Sequence, residues 1–176
     1  MNNPVLLENL RCIPDFPKKG INFRDVTTLY KNPECMKIMV DEMYELYKDK
    51  GITKIVGIES RGFVMAAALA TKLGAGVVLA RKPGKLPATV IKESFSKEYG
   101  VDTVEMHIDS IDENDVVLIH DDLLATGGTA KATLKLVNHF HPKKVYMNFI
   151  IEITDEGLHG RDYLEKDVEV TTLMVI

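Results

Sequence analysis

Residues 116–130, Val-Val-Leu-Ile-His-Asp-Asp-Leu-Leu-Ala-Thr-Gly-Gly-Thr-Ala, constrain this chain more than any other segment. The apolar run 116–119 reads as a strand buried on both faces. His120, then two carboxylates, Asp121 and Asp122, then small residues opening a helix come after it. Ligands of open α/β sheets bind outside the carboxyl ends of the strands, and the spacing puts both aspartates at such an end. In Ala125-Thr126-Gly127-Gly128-Thr129 the glycines let backbone N–H groups converge on one anion, and two threonine hydroxyls add donors. The unpaired N–H groups and positive dipole end of the following helix favour a phosphate. There is no Gly-x4-Gly-Lys, so this is not a nucleoside-triphosphate loop. Gly74-Ala75-Gly76 precedes a strand and lacks a third glycine, which excludes a dinucleotide fingerprint. Two acids just ahead of a cup for one phosphate point to a sugar phosphate, with vicinal hydroxyls on the carboxylates. A polar turn with helix-capping acids would explain Asp-Asp alone. It does not explain the acids, glycines and threonines together after a buried strand.

Elsewhere the chain alternates. Asn32-Pro33 predicts the N-cap and first residue of a helix with apolar positions 36, 39, 40, 43, 46 and 47, closed by Gly51. Residues 54–58 form a short β-branched strand, 62–73 a buried helix closed by Gly74, and 76–80 a second strand. A helix from 128 to 140 and strands at 144–151 and 168–174 complete the pattern. Strand–helix alternation with continuous apolar strands predicts an α/β fold around a parallel sheet with right-handed crossovers. The start reads as a short helix over 4–10, then an irregular Pro- and Gly-rich stretch over 13–20. Residues 82–115 break the rhythm: polar, with weak alternation at 103–107, they read as a mobile, hairpin-like loop.

Composition removes several function classes. A chain of 176 residues, 45% hydrophobic and with net charge −4, is long and apolar enough for one domain with its own core, which excludes disorder. The longest apolar stretch, 63–70, is far short of the roughly 20 residues a membrane-spanning helix needs. Met-Asn-Asn-Pro at the start has no basic-then-apolar pattern, so no signal peptide is expected and the location expected is cytoplasmic. Cys12 and Cys35 have no partner at metal-ligand spacing and read as reduced thiols. An acidic chain argues against nucleic acid as a partner. It must hold an anionic ligand with placed cations and N–H groups, not with its overall field. Arg81-Lys82-Pro83-Gly84-Lys85 offers three such cations. Arg61, in Glu59-Ser60-Arg61-Gly62 between a strand and a helix, suits a second anion through its planar fork. A helix-start arginine in a surface salt bridge explains that segment equally well.

Together these motifs resemble the type I phosphoribosyltransferases, most closely the adenine-specific group, over nearly the whole chain. The run Asp121-Asp122-Leu123-Leu124-Ala125-Thr126-Gly127-Gly128-Thr129 is similar to their phosphoribosyl pyrophosphate signature. Asp15-Phe16-Pro17, Gly20-Ile21 and Phe23-Arg24-Asp25 resemble the base-side segment, and Gly57-Ile58-Glu59-Ser60-Arg61-Gly62-Phe63 the pyrophosphate loop. Arg81-Lys82-Pro83-Gly84-Lys85-Leu86-Pro87 and Glu98-Tyr99-Gly100 resemble the flap. The resemblance implies one domain over 1–176: a parallel-sheet core of the type I phosphoribosyltransferase (PRTase-like) kind, a small N-terminal hood over 1–30 and a flexible flap over 82–110. It implies the reaction of adenine with phosphoribosyl pyrophosphate to AMP and diphosphate, with Mg²⁺ held mainly by substrate and water and not directly by the protein.

In that scheme Asp121 and Asp122 hold the ribose hydroxyls and face the developing cation. Ala125, Thr126, Gly127, Gly128 and Thr129 anchor the 5′-phosphate, while Arg61, Arg81, Lys82 and Lys85 hold the diphosphate side. Asn22, Phe23, Arg24 and Leu123 frame adenine, and Glu98 handles the purine proton. The arginine of the flap motif can reach across a dimer interface in the family, which implies a homodimer. Three positions depart from the pattern: Ser60 in place of alanine, His120 in place of an aliphatic residue, and Ala88 in place of glycine. None removes a charged contact; Ala88 would stiffen the flap, and His120 would put a polar group beside the ribose site. A sibling enzyme for hypoxanthine, guanine or xanthine, or a non-catalytic sensor of phosphoribosyl pyrophosphate, would share this core. Phe23-Arg24 and Leu123-Leu124 favour adenine; Glu98-Tyr99 and the lack of a DNA-binding segment favour an enzyme.

Overall fold

The computed structural model describes residues 2–97, 100–154, 158, 160–164 and 168–176. The chain opens with α1 (Pro4–Asn9), whose first turn is capped by the Asn3 side chain. Strands β1 (Arg11–Ile13) and β2 (Phe23–Asp25) pair antiparallel, and helices α2 (Thr27–Tyr30) and α3 (Pro33–Tyr47) follow. At the start of α3 the Asn32 side chain accepts from the N–H groups of Glu34 and Cys35, and Pro33 has no N–H to satisfy. The helix ends earlier than Gly51 implies. Its cap is Lys48, and Gly51, at φ +66, turns the chain further on.

Next come β3 (Lys54–Ile58), α4 (Gly62–Leu73), β4 (Gly76–Ala80), β5 (Val90–Lys97) and β6 (Gly100–His107). After them run β7 (Val116–Leu124), α5 (Gly128–His139), β8 (Lys144–Glu152), a 3-10 turn (Gly160–Tyr163) and β9 (Glu169–Val175). Five strands form a parallel sheet in the order β4-β3-β7-β8-β9. Leu118 of β7 packs with Met39, Met43, Tyr47, Met65 and Leu69 under α3 and α4. On the opposite face Val117 and Ile119 pack with Leu134, Val137 and Phe149 under α5. Burial on both faces is why these strands are continuous apolar runs. Connections leave β3 for one side of the sheet and β7 for the other, so a crevice opens outside their carboxyl ends.

The end of β7 departs from expectation. The strand expected over 116–119 extends through Leu124, so Asp121 and Asp122 lie within it. Asp121 stands opposite Phe149 and Leu123 opposite Ile151, because β8 runs on alongside and keeps the ladder going. The hairpin character expected of the insertion is present: residues 90–97 and 100–107 pair as a regular antiparallel ladder, with Val90 opposite His107 and Ser94 opposite Thr103. Val104 and Met106 are buried in the α5-side core, and Ile91 and Phe95 pack against it. The alternation at 103–107 is the inward face of β6.

Candidate active site

The loop after β3 and the turn after β7 stand side by side at the switch point, and each leads into a helix. Neither α4 nor α5 has a side-chain cap or an acidic residue in its first turn. By contrast α1 and α3 are capped by Asn3 and Asn32. At α4 the Phe63 and Val64 N–H groups donate to the Ser60 and Arg61 carbonyls at 3.3 Å, but no side chain occupies the entry of α4 or α5, so the positive dipole ends of both helices face the crevice, an arrangement that favours anions. Gly127 precedes α5 in the left-handed region, at φ +79, where an L side chain is strained. Gly62 is needed for another reason. A Cβ there would lie 2.8 Å from the His120 carbonyl oxygen and 3.1 Å from Asp121 Oδ1. Its absence lets α4 start against β7, and so brings Arg61 to the acids.

A cavity of about 470 Å³ opens at this place, lined by Phe23, Glu59, Ser60, Arg61, Lys82, Asp121 and Asp122. Another, of about 200 Å³, shares Glu59, Lys82 and Asp121. It adds Arg81 and Thr129 and is walled by Asp102, Thr103 and Val104 of the hairpin. Aromatic ring, carboxylate pair, guanidinium and helix N-termini therefore converge on one crevice.

The phosphoribosyl transferase domain family matches residues 25–171. The adenine phosphoribosyltransferase of Phocaeicola vulgatus is 61% identical over 176 residues, covering the whole of both chains. This chain belongs to the adenine phosphoribosyltransferase family. The crystal structure of the Rhodothermus marinus adenine phosphoribosyltransferase superposes with a TM-score of 0.91 at 46% identity, covering 98% of this chain and 97% of that one. The Giardia lamblia enzyme complexed with 9-deazaadenine gives a TM-score of 0.92 at 38% identity, covering 100% and 98%.

Within this crevice the acids are held tightly. Asp122 is 3% exposed. Arg61 Nε lies 2.9 Å from its Oδ2, an ion pair without the alignment of a hydrogen bond. The same guanidinium lies 5.6 Å from the centre of the Phe23 ring, so Arg61 bridges Asp122 and Phe23. Tyr30 fixes the loop by donating to the Arg61 carbonyl at 3.1 Å. Burial, and then the charge of Asp122, push the Asp121 carboxyl well above the usual carboxylate range. Burial also raises Asp122, with Arg61 opposing. Such a pair favours an occupant that brings hydrogen-bond donors and positive charge.

The basic turn is tethered. Arg81 Nε and Nη2 lie 3.2 and 3.3 Å from the two Glu59 carboxylate oxygens, and Nη1 donates to the Lys85 carbonyl at 3.0 Å. Glu59 also accepts the Lys82 N–H at 2.9 Å; this bond, with Arg81 beside it, holds its carboxyl below the usual range despite partial burial. Lys82 and Lys85 are exposed. Glu105, buried in β6, accepts the Gly84 N–H at 3.0 Å.

The structure thus brings Phe23, Arg61, Arg81, Lys82, Asp121, Asp122 and Thr129 to the crevice walls. Ala125, Thr126, Gly127 and Gly128 form the turn entering α5. Asn22 is exposed beside Phe23, Arg24 pairs with Cys12 in the hood ladder, and Leu123 is partly buried; none of the three lines either cavity. Glu98 and Tyr99 lie outside the described residues. The His120 side chain does not enter the crevice beside Asp121 and Asp122, contrary to expectation. Strand alternation turns it toward α3, where Nδ1 lies 3.0 Å from Asn148 Oδ1 in a row that continues to Thr171 and Tyr47. Glu59 and Gly160 are the residues that sequence reasoning left without a role. Glu59 was legible only as part of a motif, and nothing local marks Gly160.

Proposed function

We propose that this protein transfers the 5-phosphoribosyl group of phosphoribosyl pyrophosphate to adenine, giving AMP and diphosphate in purine salvage, with residues 1–176 acting as one catalytic unit. The observation that carries the reading is the carboxylate pair of buried Asp122 and half-buried Asp121, set between two uncapped helix N-termini. That is a seat for a ribose with an anion on each side. The α5 turn takes the 5′-phosphate, with Ala125, Thr126, Gly127, Gly128 and Thr129 around it. The α4 start and Arg61, with Lys82, Lys85 and an Arg81 released from Glu59, take the diphosphate. Phe23 stacks on adenine, and Asn22, Arg24 and Leu123 complete its frame.

As the C1–O bond to diphosphate breaks, positive charge grows on the ribose ring, and the carboxylates face it. The C1–N9 bond then forms, and the N9 proton leaves to Glu98. Binding energy from the remote 5′-phosphate orients the reacting carbon. The hairpin wall at Asp102, Thr103 and Val104 shields the crevice from water.

Among the described residues no group of three His, Cys, Asp or Glu side chains is placed to hold a metal ion. The hard carboxylate oxygens of Asp121, which line both cavities, fit Mg²⁺ as an ion that keeps several waters and takes its other ligands from phosphate. When bound, the ion neutralises charge on the diphosphate. The same reading includes a cytoplasmic location and a homodimer. Val64 of α4 with Val77 and Leu79 of edge strand β4, all about two-fifths exposed, supports a second copy packing there. No helix among the described residues is long and apolar enough to cross a membrane.

The test is a base panel with labelled phosphoribosyl pyrophosphate and magnesium. Adenine should yield AMP, and hypoxanthine, guanine and xanthine should yield little product. No AMP, or a preference for another base, overturns the reading.

A further inference from the structure

The phosphate turn rests on a segment with no assigned role. Gly160 is buried at the start of the 3-10 turn. A Cβ on Gly160 would lie 2.1 Å from the Ala125 carbonyl oxygen and 2.9 Å from the Gly127 nitrogen, and one on Gly127 would lie 2.4 Å from the Gly160 carbonyl oxygen. Backbone lies directly on backbone, with no room for a side chain on either partner. The next residue, Arg161, is held from two sides. Its Nε donates to Glu152 Oε1 at 2.8 Å, Nη2 pairs with Glu152 Oε2, and Nη1 donates to the Val170 carbonyl at 2.9 Å. Glu152 ends β8, is 8% exposed, and stands opposite Leu124, the residue just before the phosphate turn. Thr172 Oγ1 also donates to Glu152 Oε2, at 3.4 Å. Arg161 therefore ties Gly160 to the end of β8 and the start of β9, and through the Leu124–Glu152 pairing to the end of β7.

We propose that Gly160 and Arg161 are positioning residues for the sugar-phosphate ligand: they clamp the 125–127 turn so that the first-turn N–H groups of α5 are set before the 5′-phosphate arrives. The inference rests on the assignment of that turn to the phosphate. No side chain caps α5, so its entry has no local lock, and an entry that must be ordered on binding weakens the ligand by that cost. A two-pronged arginine on a nearly buried carboxylate supplies orientation that a lysine cannot. The clamp lies on the phosphate side only. Loosening it should leave the α4-side anion site untouched.

The experiment compares wild type with Arg161→Met, Arg161→Lys and Gly160→Ala. It uses calorimetric binding of ribose 5-phosphate and of diphosphate, steady-state kinetics and thermal melting. In Arg161→Met, ribose 5-phosphate should bind about tenfold or more weakly, the scale on which a remote displacement upsets a site. Diphosphate affinity should stay at the wild-type level, and KM for phosphoribosyl pyrophosphate should rise more than kcat falls. Arg161→Lys should recover only part of the loss, and Gly160→Ala should match or exceed it. Should Gly160→Ala not fold, the two Arg161 variants decide. Unchanged ribose 5-phosphate binding in folded Arg161→Met overturns the clamp, as does an equal loss of both ligands. Failure of the wild type to bind ribose 5-phosphate overturns the phosphate assignment itself, and the clamp with it.

Discussion

His120 gives the fold a titration that can be measured without any substrate. The ring is fully buried, Nδ1 faces Asn148 Oδ1 at 3.0 Å, and Nε2 has no partner among the described residues. The Asn148 amide nitrogen is committed to Thr171 Oγ1 at 2.8 Å, so its oxygen faces the ring and Nδ1 carries the proton. Burial lowers the pKa of His120 to about 4, from an ordinary 6.5. Between those values the unfolded chain binds a proton that the folded chain refuses. The stability linked to His120 is therefore complete above pH 6.5 and lost as pH falls toward 4. A difference of about 2.5 between the two values corresponds to about 3 kcal/mol. Asp121 and Asp122, raised by burial, act with the opposite sign, since their buried charge costs stability as pH rises. A wild-type profile alone mixes the two effects. The comparison with His120→Gln, which keeps a donor for Asn148, separates them. Urea unfolding of both proteins from pH 4.5 to 7.5 should show wild type gaining on the variant by about 2–3 kcal/mol, whatever the constant offset. A difference that stays level within about 0.5 kcal/mol across that range would refute the buried-neutral assignment.

Further expectations concern the site itself. Asp121→Asn and Asp122→Asn should each lower turnover about a hundredfold, and Asp121→Asn should also raise the unfolding midpoint because a penalised buried charge is gone; near-normal turnover in both would reduce the acids to strand-end decoration. Gly127→Ala must place an L residue at φ +79 with its methyl 2.4 Å from the Gly160 carbonyl oxygen, so ribose 5-phosphate binding should be lost. Gly128→Ala meets only the Phe95 ring, at 3.0 Å; it should be milder, and Phe95→Leu should restore it, both read by the same calorimetry. Glu98→Gln should cut turnover roughly a hundredfold with phosphoribosyl pyrophosphate binding unchanged. An active Glu98→Gln enzyme would end the acid–base assignment.

What the sequence made legible follows from how local each signal is. Strands β3 and β4 and helix α4 begin and end where expected, because apolar runs there meet Gly74 at φ +72 and the polar 59–61 loop. The Asn32-Pro33 start was readable because a side-chain cap and a missing N–H are properties of two adjacent residues. The strand character of 120–124 was not, since polar residues there look like a loop until β8 pairs with them. The Arg81–Glu59 tether and the Gly127–Gly160 contact join residues far apart in sequence, and no periodicity reports such a meeting. The misplaced end of β7 changes the chemistry as well as the topology. Acids on a loop after the strand could relax into water and titrate normally. Acids inside a paired strand are held where the sheet puts them, with Asp122 nearly sealed and Asp121 on the crevice wall. The raised carboxyl pKa values are the electrostatic cost of that seat. On the proposed reading, a ribose ring acquiring positive charge relieves this cost as it approaches the transition state, so the cost of seating the carboxylates becomes differential stabilisation of the bond-breaking step.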